Sequence, residues 1–409
     1  MPNPIQTLTE PTLYPARRDA RCPFAPAAEI RELAAEAPIS TVQTWQGNRA
    51  WLVTGHAEAR LLLADARVSA DSTHPAYPHI NVAMRSVAEM APRTMFNSDG
   101  AEHRHYRRMW AKPFTPKRIE ALRPRIQQRI DQCIDAMVAA GTSADLVPAL
   151  ALPVPSQIIS DLLGVPYADH ERFREATELG FGGAATAEEQ QQSTLTLIGY
   201  LTTLIDAKAT TPADDLLSDV AELVRDGNLQ AGEAALQTLG ILTAGYETTA
   251  NMISMAAIAL LDQPDQLAVI RDAADQQVLS TATDELLRFL SVVDTGLRRV
   301  ATTDIEIGDF LIPAGDPIVV DLATANRSPR TFTDADALDL TRPNAGQHIA
   351  LGSGRHQCIG MHLARIELGM VLRTLFQRIP SLRLATPVET IEYKFDSVVY
   401  GVRSLPVAW

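Results

Sequence analysis

The chain has 409 residues, 46% of them hydrophobic and 21% charged, with a net charge of −13 at pH 7. A chain of this length buries roughly 75% of its unfolded surface on folding, so a large core with room for an internal ligand is expected. The composition excludes a disordered or collagen-like chain, and the negative balance argues against nucleic acid as a partner. Met1–Arg21 has no apolar leader region and no run of 18 apolar residues occurs, so neither a secretory signal nor a membrane span is expected and the protein is read as cytoplasmic.

Along the chain, residues 26–64 mix a short helix with a strand pair, Thr41–Trp45 and Arg49–Thr54, turned at Gln46-Gly47-Asn48. Residues 71–98, with Pro75, Pro78 and Pro92, read as irregular. Apolar residues then recur at helical spacing over Ile119–Val138, Ile158–Leu163, Leu195–Ile205 and Leu236–Leu261, which predicts a helical body over 101–290. Gly180, Gly182 and Gly183 mark a flexible connection within it. Over 300–321 the period changes: Ile305, Ile307, Phe310, Ile312, Ile318 and Val320 predict short strands, with a turn at Pro313-Ala314-Gly315. Residues 322–358 are loop-rich, Ile359–Arg378 is helical, and 380–409 is strand-like. No linker stands out, so the expectation is one domain over 1–409. It would be mainly α over 101–290 and 359–378, with a small β region over 26–64, 300–321 and 380–409.

Three cysteines, Cys22, Cys133 and Cys358, are too few and too odd a set for a disulfide framework. Cys133 lies in an amphipathic stretch and reads as a small buried hydrophobe, and Cys22 as an inert loop residue. Cys358 is different. It ends Leu351-Gly352-Ser353-Gly354-Arg355-His356-Gln357-Cys358-Ile359-Gly360, where two glycines permit a tight backbone and a helix follows. Free N–H groups and the dipole at a helix start favour a thiolate. A lone cysteine cannot close a zinc site; a single thiolate here suits either a nucleophile or an axial iron ligand.

Three further segments carry unusual chemistry. Glu285 and Arg288 are three apart and share a helix face. Ala244-Gly245-Tyr246-Glu247-Thr248-Thr249 places a glycine and an acid beside a hydroxyl inside an apolar helix, which predicts a local opening of the hydrogen-bond ladder. His103 and Arg107, in Glu102-His103-Arg104-His105-Tyr106-Arg107-Arg108, share one face of a basic helix.

In combination, order and spacing these segments resemble the cytochrome P450 superfamily, its soluble bacterial members in particular, from Ala25-Pro26 to Leu405-Pro406-Val407. The resemblance implies a helical body around a buried haem b, a smaller sheet region, and a monomer. It makes Cys358 the axial ligand of the iron, with Gly360 leaving room for the macrocycle and Ala244 facing it. His103, Arg107, Arg299 and His356 match positions that hold the haem propionates, which need buried cationic donors. Glu247 and Thr248 match the acid–alcohol pair that manages protons during oxygen activation. Glu285 and Arg288 match a buried structural pair, held by Arg342. Two departures stand out: Leu351 where the family usually has Phe, and Tyr246 where close relatives have His.

The implied reaction is monooxygenation, in which one atom of O2 enters the substrate and the other leaves as water. Electrons would come from NAD(P)H through an external ferredoxin-type donor, docking on Arg104, Arg108, Lys112, Arg355 and Arg365. The substrate pocket would draw on residues 71–98 and 177–187 and on Ile241, Val292, Val293, Leu297 and Val399, with Asp294 and Thr295 for polar contacts. That fits a mid-sized, mostly apolar organic molecule of macrolide, steroid or terpenoid character. The alternatives are epoxidation or oxidative coupling, and a non-catalytic haem-thiolate sensor, against which the acid–alcohol pair argues.

Overall fold

The computed structural model describes residues 12–90, 93–166, 169, 186–395 and 397–409. The glycine-rich connection at Gly180, Gly182 and Gly183 lies outside the described residues. The chain condenses into two compact units. The first runs to Tyr106 and resumes over Asp284–Cys358; the second comprises Arg107–Thr283 and Ile359–Trp409.

The first unit is built on a five-stranded sheet, ordered Ile39–Gln43, Arg49–Val53, Pro317–Val320, Leu297–Ala301, Val68–Ser69. The expected hairpin forms with Thr41 opposite Trp51, and Gly47 turns it at φ 81°. Arg49–Val53 pairs in parallel with Pro317–Val320. Side chains alternate across a strand. Ile318 and Val320 accordingly enter one apolar cluster with Val53, Leu62 and Ile305, whereas Val319 joins Tyr14, Ile30, Val42 and Leu52 in a second. A small hairpin, Ile305–Ile307 with Phe310–Ile312, completes the predicted strands. Within 71–98, read as irregular, the structure has a helix at Val82–Met90. No proline interrupts these nine residues, the Asn81 side-chain Oδ1 accepts the Met84 N–H at 2.8 Å, and Arg85 pairs with Glu89 one turn on.

In the second unit the long helix Ala231–Asp262 packs against Pro153–Leu163, Ala187–Thr210 and Met361–Arg378. From Ala234 to Leu260 it is buried along most of its length, which explains its apolar, weakly amphipathic sequence. One short strand, Ser143–Asp145, breaks the stretch read as continuous helix. It follows Gly141 at the end of Arg123–Ala140 and pairs with Pro406–Ala408 from the far end of the chain, a partner that no local pattern reveals. Cys133 is buried among apolar side chains, and that burial pushes its thiol up to about 11; Cys22 is exposed. Among the described residues no helix is long and apolar enough to cross a membrane.

The irregular run after Pro317–Val320 has no ladder to satisfy its carbonyls, and a buried ionic cluster does so instead. Glu285 accepts from Arg288 Nε at 2.7 Å and from Arg342 Nε at 3.0 Å, with its carboxylate fully buried. Arg288 also donates to the carbonyls of Asn326, Ala335 and Ala337, and Arg342 to those of Thr333, Asp334 and Ala337. Removing the carboxylate would leave two buried cations facing each other. Glu285→Gln is therefore expected to destabilise the fold by about 3–5 kcal/mol, read as a lowered midpoint in urea unfolding followed by circular dichroism; an unchanged midpoint would contradict the role given to the cluster.

Candidate active site

The loop that carries Cys358 is closed on itself. The Cys358 N–H donates to the Leu351 carbonyl at 2.8 Å, and Gly352 N–H to Ile349 at 2.8 Å. Between them the chain makes a single 3-10 turn, Gly354–His356. Gly354 has φ 71°, and a Cβ there would lie 2.3 Å from the Leu63 carbonyl oxygen. This turn is thus seated on the C-terminal end of the helix His56–Ala64, where Arg355 donates to the Ala64 carbonyl at 3.3 Å. A cation suits that end of a helix. Cys358 is partly buried, and Gly360, two residues on, caps the helix Met361–Arg378.

Around this loop the first unit concentrates charge. The His103 and His356 rings lie 4.1 Å apart. Asp99 accepts from His356 Nε2 at 3.2 Å, from Ser69 Oγ at 2.6 Å and from the Ala70 N–H at 2.9 Å. Burial opposes ionisation of Asp99, but these bonds, led by that from His356, hold its carboxyl well below the usual carboxylate range. Burial lowers the His356 imidazole below its ordinary value; the Asp99 bond opposes this and Arg299 adds to it. Asp99 stands just before Gly100–Ala111, where an aspartate has an ordinary explanation as a helix cap, and the sequence carries no signal of its link to the cysteine loop.

Arg299 is 8% exposed. Its one hydrogen bond runs to the neighbouring Arg298 carbonyl at 2.7 Å, and it forms no ion pair among the described residues. Burial pulls its proton affinity down; Tyr77 and Asp99 oppose this while Arg298 and Arg355 add to it. A guanidinium stays charged in proteins, so Arg299 is buried as a cation with two like charges, Arg298 and Arg355, acting on it. Arg298 adds a buried Nε without a partner. Arg107, four residues beyond His103, is partly buried and counts with the second unit.

In the second unit, the stretch from Thr243 to Thr248 interrupts the buried course of the long helix: Ala244 is exposed, and Glu247 and Thr248 are partly buried. The expected opening of the ladder is not seen. Ala231–Asp262 is a continuous α-helix, and the Thr248 hydroxyl donates to the Ala244 carbonyl at 2.7 Å. This back-bond gives the hydroxyl a partner within the helix, so no break is needed. Burial raises the Glu247 carboxyl above its ordinary value, and Lys394 opposes the shift. Lys394 carried no signal in the sequence, because it lies 147 positions from Glu247 in a tail of short strands.

The residues expected to line a substrate pocket fall in both units. Ile241 and Val399 are buried in the second and Val292 in the first, where Val293 and Leu297 pack on the sheet cluster. Asp294 does not offer a free polar contact: Arg18, itself buried, holds it at 2.6 Å. The neighbouring Thr295 is 4% exposed and its hydroxyl has no hydrogen-bond partner. Among the basic residues, Lys112 is tied to Asp219 at 2.5 Å, whereas Arg104 and Arg108 are exposed.

A sequence profile of the cytochrome P450 family matches residues 189–389. The chain is similar to cytochrome P450 CYP105Q4 of Mycobacterium marinum, 49% identical over 97% of this chain and 96% of the relative. It is also similar to vitamin D3 dihydroxylase of Streptomyces griseolus, 40% identical over 98% of each. The crystal structure of GfsF, a cytochrome P450 of Streptomyces halstedii, superposes with a TM-score of 0.93 at 42% identity, over 97% of this chain and all of that one.

The cysteine loop gives a direct test of its own geometry. Gly354→Ala forces a side chain into left-handed backbone, which costs about 1–2 kcal/mol, and into the Leu63 carbonyl, which a backbone atom cannot avoid by rotating. The expected result is a lowered thermal midpoint and a loosened loop, seen as faster amide exchange at Leu351–Cys358. Gly308→Ala, at φ 56° with open space around its Cβ, shares only the backbone strain and serves as the control.

Proposed function

The chain belongs to the cytochrome P450 family of monooxygenases, and from that premise we propose that it hydroxylates a mid-sized, mostly apolar natural product with electrons from an external ferredoxin-type donor. The observation that carries the assignment of the cofactor is Arg299, a buried cation with no anion of its own beside a loop ending in a partly buried thiol. This is the environment that a dianionic, thiolate-ligated group such as haem b requires. Cys358 is the residue that would hold the iron of such a group through its thiolate, and His103, Arg107, Arg299 and His356 are the side chains that would hold its propionates. Asp99 anchors the His356 ring through its Nε2.

When bound, the haem supplies the oxygen binding and O–O cleavage that the chain itself cannot perform. The chain's own contribution is protons and positioning. Two electrons and two protons accompany each O2, one atom entering the substrate as a hydroxyl and the other leaving as water. Thr248 retains its lone pairs for accepting a proton donor while its hydrogen bonds Ala244. Glu247, raised by burial, can hold a proton near neutral pH more readily than an exposed carboxyl and would supply it to the reaction directly or through water. By the resemblance, Ile241 and Val399 in the second unit and Val292, Val293 and Leu297 in the first are the candidates for apolar contact with the substrate, and Thr295 for a polar one. The similarity to a vitamin D3 dihydroxylase favours hydroxylation of a compact polycyclic or macrocyclic skeleton. A spectral binding screen over macrolides, steroids and small aromatics, followed by product mass, tests this; binding confined to small polar molecules would overturn it.

Cys358→Ser is expected to lose the long-wavelength absorption band of the reduced carbon monoxide complex, and survival of that band with full activity would refute the ligand assignment. Thr248→Ala is expected to retain binding while diverting electrons into peroxide, measured as peroxide released per nicotinamide consumed. For the electron donor, Arg104 and Arg108 are the exposed charges to reverse, since Lys112 is already neutralised by Asp219. Reversal should slow reduction by ferredoxin without changing substrate affinity, and the wild-type rate should fall as salt rises, because exposed charges are screened beyond about 10 Å at 0.1 M.

A further inference from the structure

The hairpin near the end of the second unit brings a lysine to the acid of the long helix. Tyr393 bridges Val402, the Lys394 N–H donates to the Gly401 carbonyl at 2.8 Å, and the Arg403 N–H to Glu392 at 2.9 Å. The rings of Tyr393 and Tyr400 stack 5.8 Å apart and stiffen the turn. Gly401 fixes where this hairpin lies. A Cβ there would stand 1.8 Å from Asn251 Oδ1, so only a bare backbone can approach the helix so closely. Asn251 in turn donates to the Glu247 carbonyl at 2.9 Å, one helical turn back. Gly401, paired with Lys394, therefore seats the hairpin at the very turn that carries the acid.

Both side chains are partly buried. Neither makes a hydrogen bond or ion pair through its charged group among the described residues. Each is nevertheless the first opposite charge the other feels: Lys394 is the charge that acts on Glu247, and Glu247 opposes the loss of the Lys394 proton that burial favours. Arg403, which acts on Lys394 in the other direction, is drawn off by Glu392 at 3.1 Å. Two buried groups of opposite charge that are not locked in contact can change protonation without breaking a salt bridge. A locked pair would hold the carboxylate ionised and idle.

We propose that Lys394 is a positioning residue for the reaction: held against the long helix by Gly401, its ammonium sets the charge state of Glu247 and so the acid's capacity to supply protons. This rests on the role given to Glu247 above. The sign is fixed by electrostatics. Burial favours the neutral acid, the ammonium favours the carboxylate, and removing the ammonium must move ionisation of Glu247 to higher pH.

The test is an infrared titration of the haem-loaded enzyme, with Glu247→Gln identifying the carboxyl band and the carbon monoxide spectrum confirming an intact site in each variant. Lys394→Met, which keeps the apolar stem, should shift the Glu247 midpoint upward, and Lys394→Arg should restore it. A midpoint unmoved in Lys394→Met, or an arginine variant that behaves like methionine, overturns the inference and leaves the acid's role standing. Peroxide release with a surrogate ferredoxin and reductase is measured alongside. A moved midpoint together with unchanged peroxide release in Glu247→Gln overturns the acid's role, and with it the positioning role of Lys394.

Discussion

One carboxylate organises most of the irregular chain in the first unit. Glu285 pairs with both Arg288 and Arg342, and the two guanidinium groups spend their remaining donors on five carbonyls between Asn326 and Ala337. Without that cluster these carbonyls would be buried without partners, each at a cost of about 1–3 kcal/mol. The order continues from there: Asn326 accepts the Ile349 N–H at 2.8 Å, and Ile349 accepts from Gly352 at the start of the cysteine loop. A buried ion pair is weak evidence for stability as such, since apolar replacements are often as good. Its value here is that a planar fork can satisfy several carbonyls in fixed directions, which no apolar side chain can do.

The same unit shows why net charge is a poor guide to a site. The chain carries −13 overall, yet the buried Arg299 feels the like charges of Arg298 and Arg355 as well as the carboxylate of Asp99. Exposed acids elsewhere lie in high dielectric and do little to offset a buried cation. Arg299 forms no ion pair among the described residues, and a dianion held beside it would offset part of the cost of burying its charge and so would couple affinity for that group to stability.

Much of this was legible because it rests on local pattern. The Gln46-Gly47-Asn48 turn, the change of period after residue 300, and the helix following Gly360 are short-range features, and the Glu285–Arg288 spacing makes their pairing geometrically available. What was not legible depends on distant partners. Ser143–Asp145 becomes a strand only because Pro406–Ala408 reaches it. Asp294 looked available for a ligand until Arg18, from the N-terminal segment, was found on it. Asp99 sits at a helix start, where its residue type already has an ordinary explanation, so nothing in the sequence points to Ser69 or His356. The helix Val82–Met90 was obscured by prolines that flank it without entering it. In the long helix the error ran the other way: an acid, a glycine and a hydroxyl suggested a break, but Thr248 satisfies itself on Ala244 and the helix continues.

That continuity bears on how the acid–alcohol pair works. In an opened helix the acid could swing freely and its neighbours would matter little. In an intact one, Glu247 is fixed to the turn that ends at Asn251, and its electrostatic surroundings are fixed with it. The glycine that a break would have explained meets instead a packing constraint: a Cβ on Gly245 would lie 3.3 Å from Ile159 Cδ1, so its smallness serves the contact with Pro153–Leu163. The helix is held on that side by Ile159 and at Asn251 by the backbone of Gly401. A carboxyl so placed cannot adjust its proton affinity by moving, which leaves the charge of its surroundings as the means of tuning it, and Lys394 is the charge the fold provides.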